Sequence, residues 1–233
     1  MSDFVCITQD PFTNPIKGDD EPEMVHSGTV DYVPRWKTSS KNPAKLHFFA
    51  VREGFSTEDD FNYVLNTFTA AAEEWNKINF GVTIQRTTER RTANFLLTFQ
   101  AKQDFYIKWP HLASAFIGPH KIRPVVVYGL ALSSKAERDN LSIALLHEIG
   151  HILGLRHEIE IKPDAGKPPN GTALQILAPN PKSVMNGEKR NMIQQSDIDC
   201  IREFYGKTEG WVLPGSTVKI KSFELTPLPV KKP

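Results

Sequence analysis

The stretch of this chain richest in chemistry reads His147-Glu148-Ile149-Gly150-His151-Ile152-Leu153-Gly154-Leu155-Arg156-His157. On a helix turning about 100° per residue, His147, His151 and Glu148 project at roughly 0°, 40° and 100°, a single polar arc. The flanking runs Leu141 to Leu146 and Ile149 to Leu153 are apolar nearly all round, which predicts a buried helix starting near Asp139 or Asn140. Three neutral imidazoles with an open fourth position suit a catalytic zinc ion, and the i, i+4 pair His147 and His151 supplies two of them from one face. His157 is the third. A straight helix would carry it away from the other two, so Gly154 is read as the residue that takes a left-handed conformation, ends the helix and turns the chain back. Zinc lowers the pKa of bound water from 15.7 to about 7, and Glu148 between the ligands can take the proton and pass it to a leaving amine. The chemistry implied is peptide hydrolysis without a covalent intermediate.

The bland alternative is a buried helix whose histidines are merely hydrogen-bonded. Five fixed residues at these offsets arise by chance on the order of once in 10⁵ chains of this length. An unpartnered Glu148 in such a helix would also be costly. The metal-site reading is therefore preferred.

The elements that must position this helix follow from local patterning. Leu46 to Val51 is an apolar run of strand length. Thr57 before Glu58, Asp59 and Asp60 is a helix start, and Phe61, Val64, Leu65, Phe68, Ala72 and Trp75 form its inward stripe. Val82 to Arg86, Asn94 to Phe99, His111 to Gly118 and Val125 to Tyr128 read as further strands. Pro163 to Pro181 reads as a surface loop, and Ser196 caps a last helix running to about Tyr205, with Ile198, Ile201 and Phe204 inward and Gly206 as its stop. The expected fold class is α+β: a roughly five-stranded twisted mixed sheet with two long helices and a C-terminal helix. Residues 1–43 hold five prolines and an acidic run, so they read as an arm or pro-segment remnant without regular structure. Residues 44–208 read as the catalytic domain, and 209–233 as a loosely packed tail. There is no internal repeat.

Composition narrows the partners. The 233 residues are 39% hydrophobic and 10% aromatic, enough for one core. Lys plus Arg is 28 against 27 for Asp plus Glu, a net charge of +1, which gives no general attraction to nucleic acid or anionic membrane. Apolar runs fall far short of the roughly 20 residues of a membrane span. Expected partners are protein or peptide substrates, with no nucleic acid and no membrane, and the chain is expected to act as a monomer.

The zinc motif resembles the H-E-x-x-H-x-x-G-x-x-H pattern of the metzincin metalloproteases. Ser183-Val184-Met185-Asn186 looks like the methionine turn of that family, with Met185 as an apolar floor beneath the zinc. Gln195 to Gly206, with Asp197-Ile198, Ile201 and Tyr205-Gly206, is similar to the matrixin C-terminal helix, and Trp36 with Leu46 to Val51 is similar to the start of a matrixin catalytic domain. The likeness runs from roughly Leu46 to Gly206. Glu158 after the third histidine is the astacin residue, while Gly187 stands where astacins carry a tyrosine, so both subfamilies stay open. The resemblance implies a metzincin-like zincin fold, a zinc endopeptidase and an extracellular setting, although Met1 to Asp10 shows no basic and apolar leader. Matrixins hold a second, structural zinc. Asp104 resembles one of its ligands, but Lys102, Ser114 and Tyr128 occupy its histidine positions, so one zinc and no calcium are expected. Substrate would pair antiparallel with an edge strand, here His111 to Gly118, and the side chain after the scissile bond would enter a pocket near Asn186 to Gln194.

Other residues carry less. His26, His47, His111 and His120 are isolated and read as surface or structural, and Asn170-Gly171-Thr172 is a glycosylation sequon. The arm reads first as solvated; the alternatives are that Cys6, or Asp19 in a resemblance to the astacin aspartate switch, occupies the open zinc position, or that Cys6 pairs with Cys200. The rival function is a catalytically silent or latent zinc-bound peptide-binding module. Removing residues 1–43 should raise activity if the arm is inhibitory.

Overall fold

The computed structural model describes residues 32–102, 111–119, 124–157, 176–178, 180–186, 191–212 and 219–227. In chain order the elements are β1 (Tyr32–Trp36), β2 (Ala44–Ala50), α1 (Glu58–Asn76), β3 (Val82–Arg86), β4 (Phe95–Gln100), β5 (Ala113–Ser114), β6 (Val125–Tyr128), α2 (Lys135–Ile152), α3 (Gln195–Gly206) and β7 (Lys219–Phe223). Five strands lie side by side in the order β3-β2-β4-β6-β5. All neighbours are parallel except β5, which runs antiparallel to β6 at the sheet edge. The α+β class expected from the sequence is the one observed.

The sheet is alternating because helices cover one of its faces. On β2 the alternate residues Ala44, Leu46, Phe48 and Ala50 are buried. They meet the stripe of α1 formed by Val64, Leu65, Phe68, Ala71, Ala72 and Trp75, with the Phe48 and Phe68 rings edge to face at 4.8 Å. Each fully buried Leu or Phe contributes about 1.5–3 kcal/mol, so this layer is the main source of stability. The start of α1 is fixed by Thr57, whose hydroxyl accepts from the Asp60 amide at 3.1 Å. The long helices are tied by a donation from Trp75 Nε1 to the Leu146 carbonyl at 2.9 Å, and by Tyr63 Oη to the Arg138 carbonyl at 2.6 Å.

The structure differs from the sequence expectations at four places. Helix α2 begins at Lys135 rather than near Asp139, because Ser134 caps it by accepting from the Glu137 amide. Its first turn is exposed and polar, so apolar periodicity does not report it. The strand expected over His111 to Gly118 shrinks to Ala113–Ser114. Beyond it the chain leaves the sheet, and the Gly118 amide donates to the His151 carbonyl at 2.8 Å. Helix α3 is capped by Gln194 in a capping box with Asp197, not by Ser196.

The fourth difference concerns the chain ends. Tyr32–Trp36 lies within the stretch read as an irregular arm, and Lys219–Phe223 within the stretch read as a loose tail. These two segments pair as a parallel two-stranded sheet, Tyr32 opposite Lys219 through Trp36 opposite Phe223. Val33, Trp36 and Ile220 are buried in the common core. Pro34 is tolerated because β1 is an edge strand. Arg35, also buried, donates to the Phe204 and Lys207 carbonyls at 2.6 and 2.7 Å, closing the end of α3.

Candidate metal centre

The three histidines come together. His147 and His151 lie on the last turns of α2, His157 follows the helix, and the three are 7%, 0% and 3% exposed. Their Nε2 atoms are 2.9 Å apart between His147 and His157, 3.0 Å between His147 and His151, and 3.2 Å between His151 and His157. Among the described residues this is the group of His, Cys, Asp or Glu side chains whose donor atoms converge within 4.8 Å of one another.

The chain reversal that delivers His157 is a Schellman motif. Gly154 has φ +97°, its amide donates to the His151 carbonyl at 2.8 Å, and the Leu155 amide donates to the Gly150 carbonyl at 2.9 Å. A side chain at Gly154 would be strained by φ and would meet Pro34 O at 3.2 Å and the Phe204 ring at 3.3 Å. The buried carbonyls of the reversal are held from three directions: Gly118 N to His151 O, Trp36 Nε1 to Ile152 O at 2.8 Å, and Tyr205 Oη to Leu153 O at 3.0 Å. Burial pushes the Tyr205 hydroxyl above its ordinary value, which keeps it protonated as a donor.

The opposite ring nitrogens set the tautomers. His147 Nδ1 donates to the Val184 carbonyl at 2.6 Å and His151 Nδ1 to the Leu155 carbonyl at 2.8 Å. A carbonyl only accepts, so each of these rings carries its proton on Nδ1 and turns an Nε2 lone pair inward. Burial first, then the neighbouring His147 and His157, holds the His151 imidazole well below its ordinary pKa, hence neutral at neutral pH. A tetrahedral zinc with bonds of about 2.0–2.1 Å separates its nitrogen ligands by about 3.3–3.4 Å. The observed 2.9–3.2 Å separations reach that with movements of under about half an ångström, so the donor set fits the ion. The negative end of the α2 macrodipole favours a cation at the same place.

Glu148, next to His147 on α2, is buried at 3% exposure. Met185, also buried, sits in a turn closed by Ser183 N to Asn180 O at 2.9 Å and Asn186 N to Ser183 O at 3.1 Å. Its sulfur occupies the space beside Gly150, where an added Cβ would come within 2.3 Å of Sδ. The turn thus lies directly against the helix residue preceding His151.

Sequence reasoning passed over the residues that hold this arrangement. Asp197, Ser183, Trp36 and Tyr205 are buried in the structure, and nothing in their local sequence marks this role. Of the remaining expectations, Ser114 Oγ and Tyr128 Oη bond to each other at 3.0 Å between β5 and β6, and Lys102 is exposed. His47 is half-buried, His111 is buried, and Cys200 is half-buried on α3. Cys6, Asp19, His26, Asp104, His120, Glu158, Asn170 and Gly187 lie outside the described residues. Among the described residues no helix is long and apolar enough to cross a membrane.

No family model and no curated protein matches the chain. Solved structures do. Myroilysin is similar with a TM-score of 0.51 at 17% identity, covering 78% of this chain and 100% of that one. High choriolytic enzyme 1, a hatching enzyme zinc-protease of the medaka fish Oryzias latipes, gives 0.46 at 15%, covering 75% and 95%. An archaemetzincin from Methanopyrus kandleri gives 0.39 at 14%, covering 69% and 94%. The likeness to myroilysin, spanning that whole chain, shows that this protein has the metzincin-like zincin fold.

Proposed function

We propose that this chain is a zinc-dependent metalloendopeptidase that binds one zinc ion through His147, His151 and His157 and acts as a monomer on protein or peptide substrates. The observation that carries the reading is the convergence of three buried Nε2 atoms, two of them locked in the ligand tautomer, on the polar arc that also bears Glu148. Zinc held there would supply a polarised substrate carbonyl, charge balance for the developing oxyanion and a water acidified to a pKa of about 7. Glu148 is assigned the proton: it receives one from the attacking water and returns one to the leaving amine. Met185 supports α2 from below, and Gly154 delivers His157. Strand β5, the antiparallel edge beside β6, is the place where an extended substrate would pair main chain to main chain. The functional unit extends beyond residues 44–208, because β1, paired with β7, holds the ends of α2 and α3 through Trp36 and Arg35.

The test is a mixed peptide library incubated with the zinc-loaded chain and with Glu148→Gln, cut sites being identified by mass spectrometry. Internal cleavage by the unaltered chain is expected, with a loss of about 10²–10⁴-fold in kcat for the variant at equal zinc content. Zinc uptake without cleavage by either protein would replace the peptidase with a silent binding module.

A further inference from the structure

The carboxylate of Asp197 is 3% exposed at the third residue of α3, and it receives three hydrogen bonds. One comes from the Gln194 amide at 2.7 Å and belongs to the capping box. The other two leave the helix: the Ser183 hydroxyl donates to Oδ1 at 2.5 Å, and the Val184 amide donates to Oδ2 at 3.0 Å. Ser183, fully buried, also accepts from the Met185 amide at 2.9 Å through the same oxygen. The amide of Val184 is therefore gripped by Asp197 while its carbonyl accepts the His147 Nδ1 proton at 2.6 Å.

From this chain of contacts we infer that Asp197 is a positioning residue for the metal site, acting through Ser183 and Val184 to fix the tautomer and ring orientation of His147. The inference rests on the metal-binding reading of the three histidines. A helix cap needs only the bond to Gln194. The two additional bonds have no capping use, and both end on the turn that presents the Val184 carbonyl. Being charged, the acceptor makes these bonds about twice as strong as neutral ones, so the turn is held more firmly than its own amide contacts would hold it. With the carbonyl fixed, the proton of His147 stays on Nδ1 and Nε2 stays available. Without Asp197, the carbonyl can rotate, His147 can exchange tautomers, and one of three ligands loses its orientation. Removing such an outer partner typically weakens metal binding by about 10–100-fold.

The experiment compares the unaltered full-length chain with Asp197→Asn, Ser183→Ala, Gln194→Gly and, as the ligand control, His147→Ala. Zinc affinity is read by chelator competition. Separately, ¹⁵N-histidine spectra of the metal-free proteins report the His147 tautomer. Asn cannot accept from all three donors, and Ala removes the hydroxyl link alone, so a failure of the first to fold leaves the second as the test. Both should lower zinc affinity by about 10–100-fold and shift His147 from the pure Nδ1–H form towards a mixture. Gln194→Gly removes the side-chain half of the cap and the bond from Gln194 Nε2 to the Met192 carbonyl but leaves the bonds of Asp197 to Ser183 and Val184, so it should lower the melting temperature while leaving zinc affinity and tautomer unchanged. Normal affinity and an unmixed tautomer in a folded Asp197→Asn or Ser183→Ala protein overturn the positioning role and spare the metal site. Absence of zinc uptake by the unaltered chain, or uptake undiminished in His147→Ala, overturns the metal site itself.

Discussion

Replacing Gly150 by Ala sets two calculable effects against each other. Gly in a helix interior is about 1 kcal/mol less favourable than Ala, so helix propensity alone predicts that Gly150→Ala stabilises the protein. The structure predicts the opposite. A Cβ at this position would lie 2.3 Å from Met185 Sδ, 3.2 Å from Met185 Cε and 3.4 Å from the Trp75 ring, the first well inside contact distance. Met185 is only 2% exposed and Trp75 only 1%, so the thioether has little room to retreat, and overpacking of this kind costs about 1–3 kcal/mol. The net expectation is a loss of up to about 2 kcal/mol, or up to about 8 °C in Tm for a chain of this size. The melt should be run with chelator present, because bound metal would add its own stabilisation. In a Met185→Ala background the clash disappears, and the same Gly150→Ala change should then stabilise by about 1 kcal/mol. A rise in Tm on Gly150→Ala in the unaltered background would refute the reasoning, since it would mean that Met185 does not fill the space beneath α2.

Three further outcomes are expected. Gly154→Ala forces a side chain into φ +97° against Pro34 O and should cost about 1–3 kcal/mol while weakening zinc binding through His157; equal chelator resistance in the variant would contradict the role of the reversal. The metal-free protein should lose stability as pH falls below about 6.5, because the unfolded chain takes up a proton on His151 that the folded chain, with its pKa pushed well lower, refuses. Stability is full above that value and declines through the window below it; melting curves from about pH 8 to about pH 5 should show this slope, flattened in His151→Gln, and an equal slope in both would count against it. Deleting residues 1–43 should abolish cooperative unfolding in circular dichroism, not raise activity, because it removes β1 with Trp36 and Arg35; a sharp melt at the original midpoint would show that these bonds are dispensable.

Legibility followed the range of the forces involved. The stripe on α1, the limits of β3 and β6 and the polar arc on α2 are products of local periodicity, and each could be read from a window of about a dozen residues. The histidine spacing carried the site for the same reason: helix geometry joins His147 to His151, and the glycine rule joins Gly154 to His157. The pairing of β1 with β7 is a contact between segments 187 residues apart at Arg35 and Ser222, where proline and lysine content argues against strands in either one alone. Asp197 reads locally as an acidic residue in the first turn of a helix, which the macrodipole favours wherever it occurs. Its grip on Ser183 and Val184 exists only after α3 has docked on the turn.

The arrangement of backbone carbonyls explains why distant segments matter to this site. The last carbonyls of a helix have no partners within it, and at a buried helix end each must be met from elsewhere. In α2 those carbonyls belong to the very residues that place the ligands. The His151 carbonyl is taken by Gly118 and Gly154, that of Ile152 by Trp36 of β1, and that of Leu153 by Tyr205 of α3. The ring protons of His147 and His151 in turn use the carbonyls of Val184 and Leu155. Donors therefore arrive from the sheet edge, the first strand and the last helix, and each both completes the burial of α2 and fixes part of the reversal that brings His157 back. Satisfying a buried helix end and orienting three imidazoles are, in this fold, a single structural requirement, so a change that loosens any of these donors should show first in metal affinity and only then in the melting temperature.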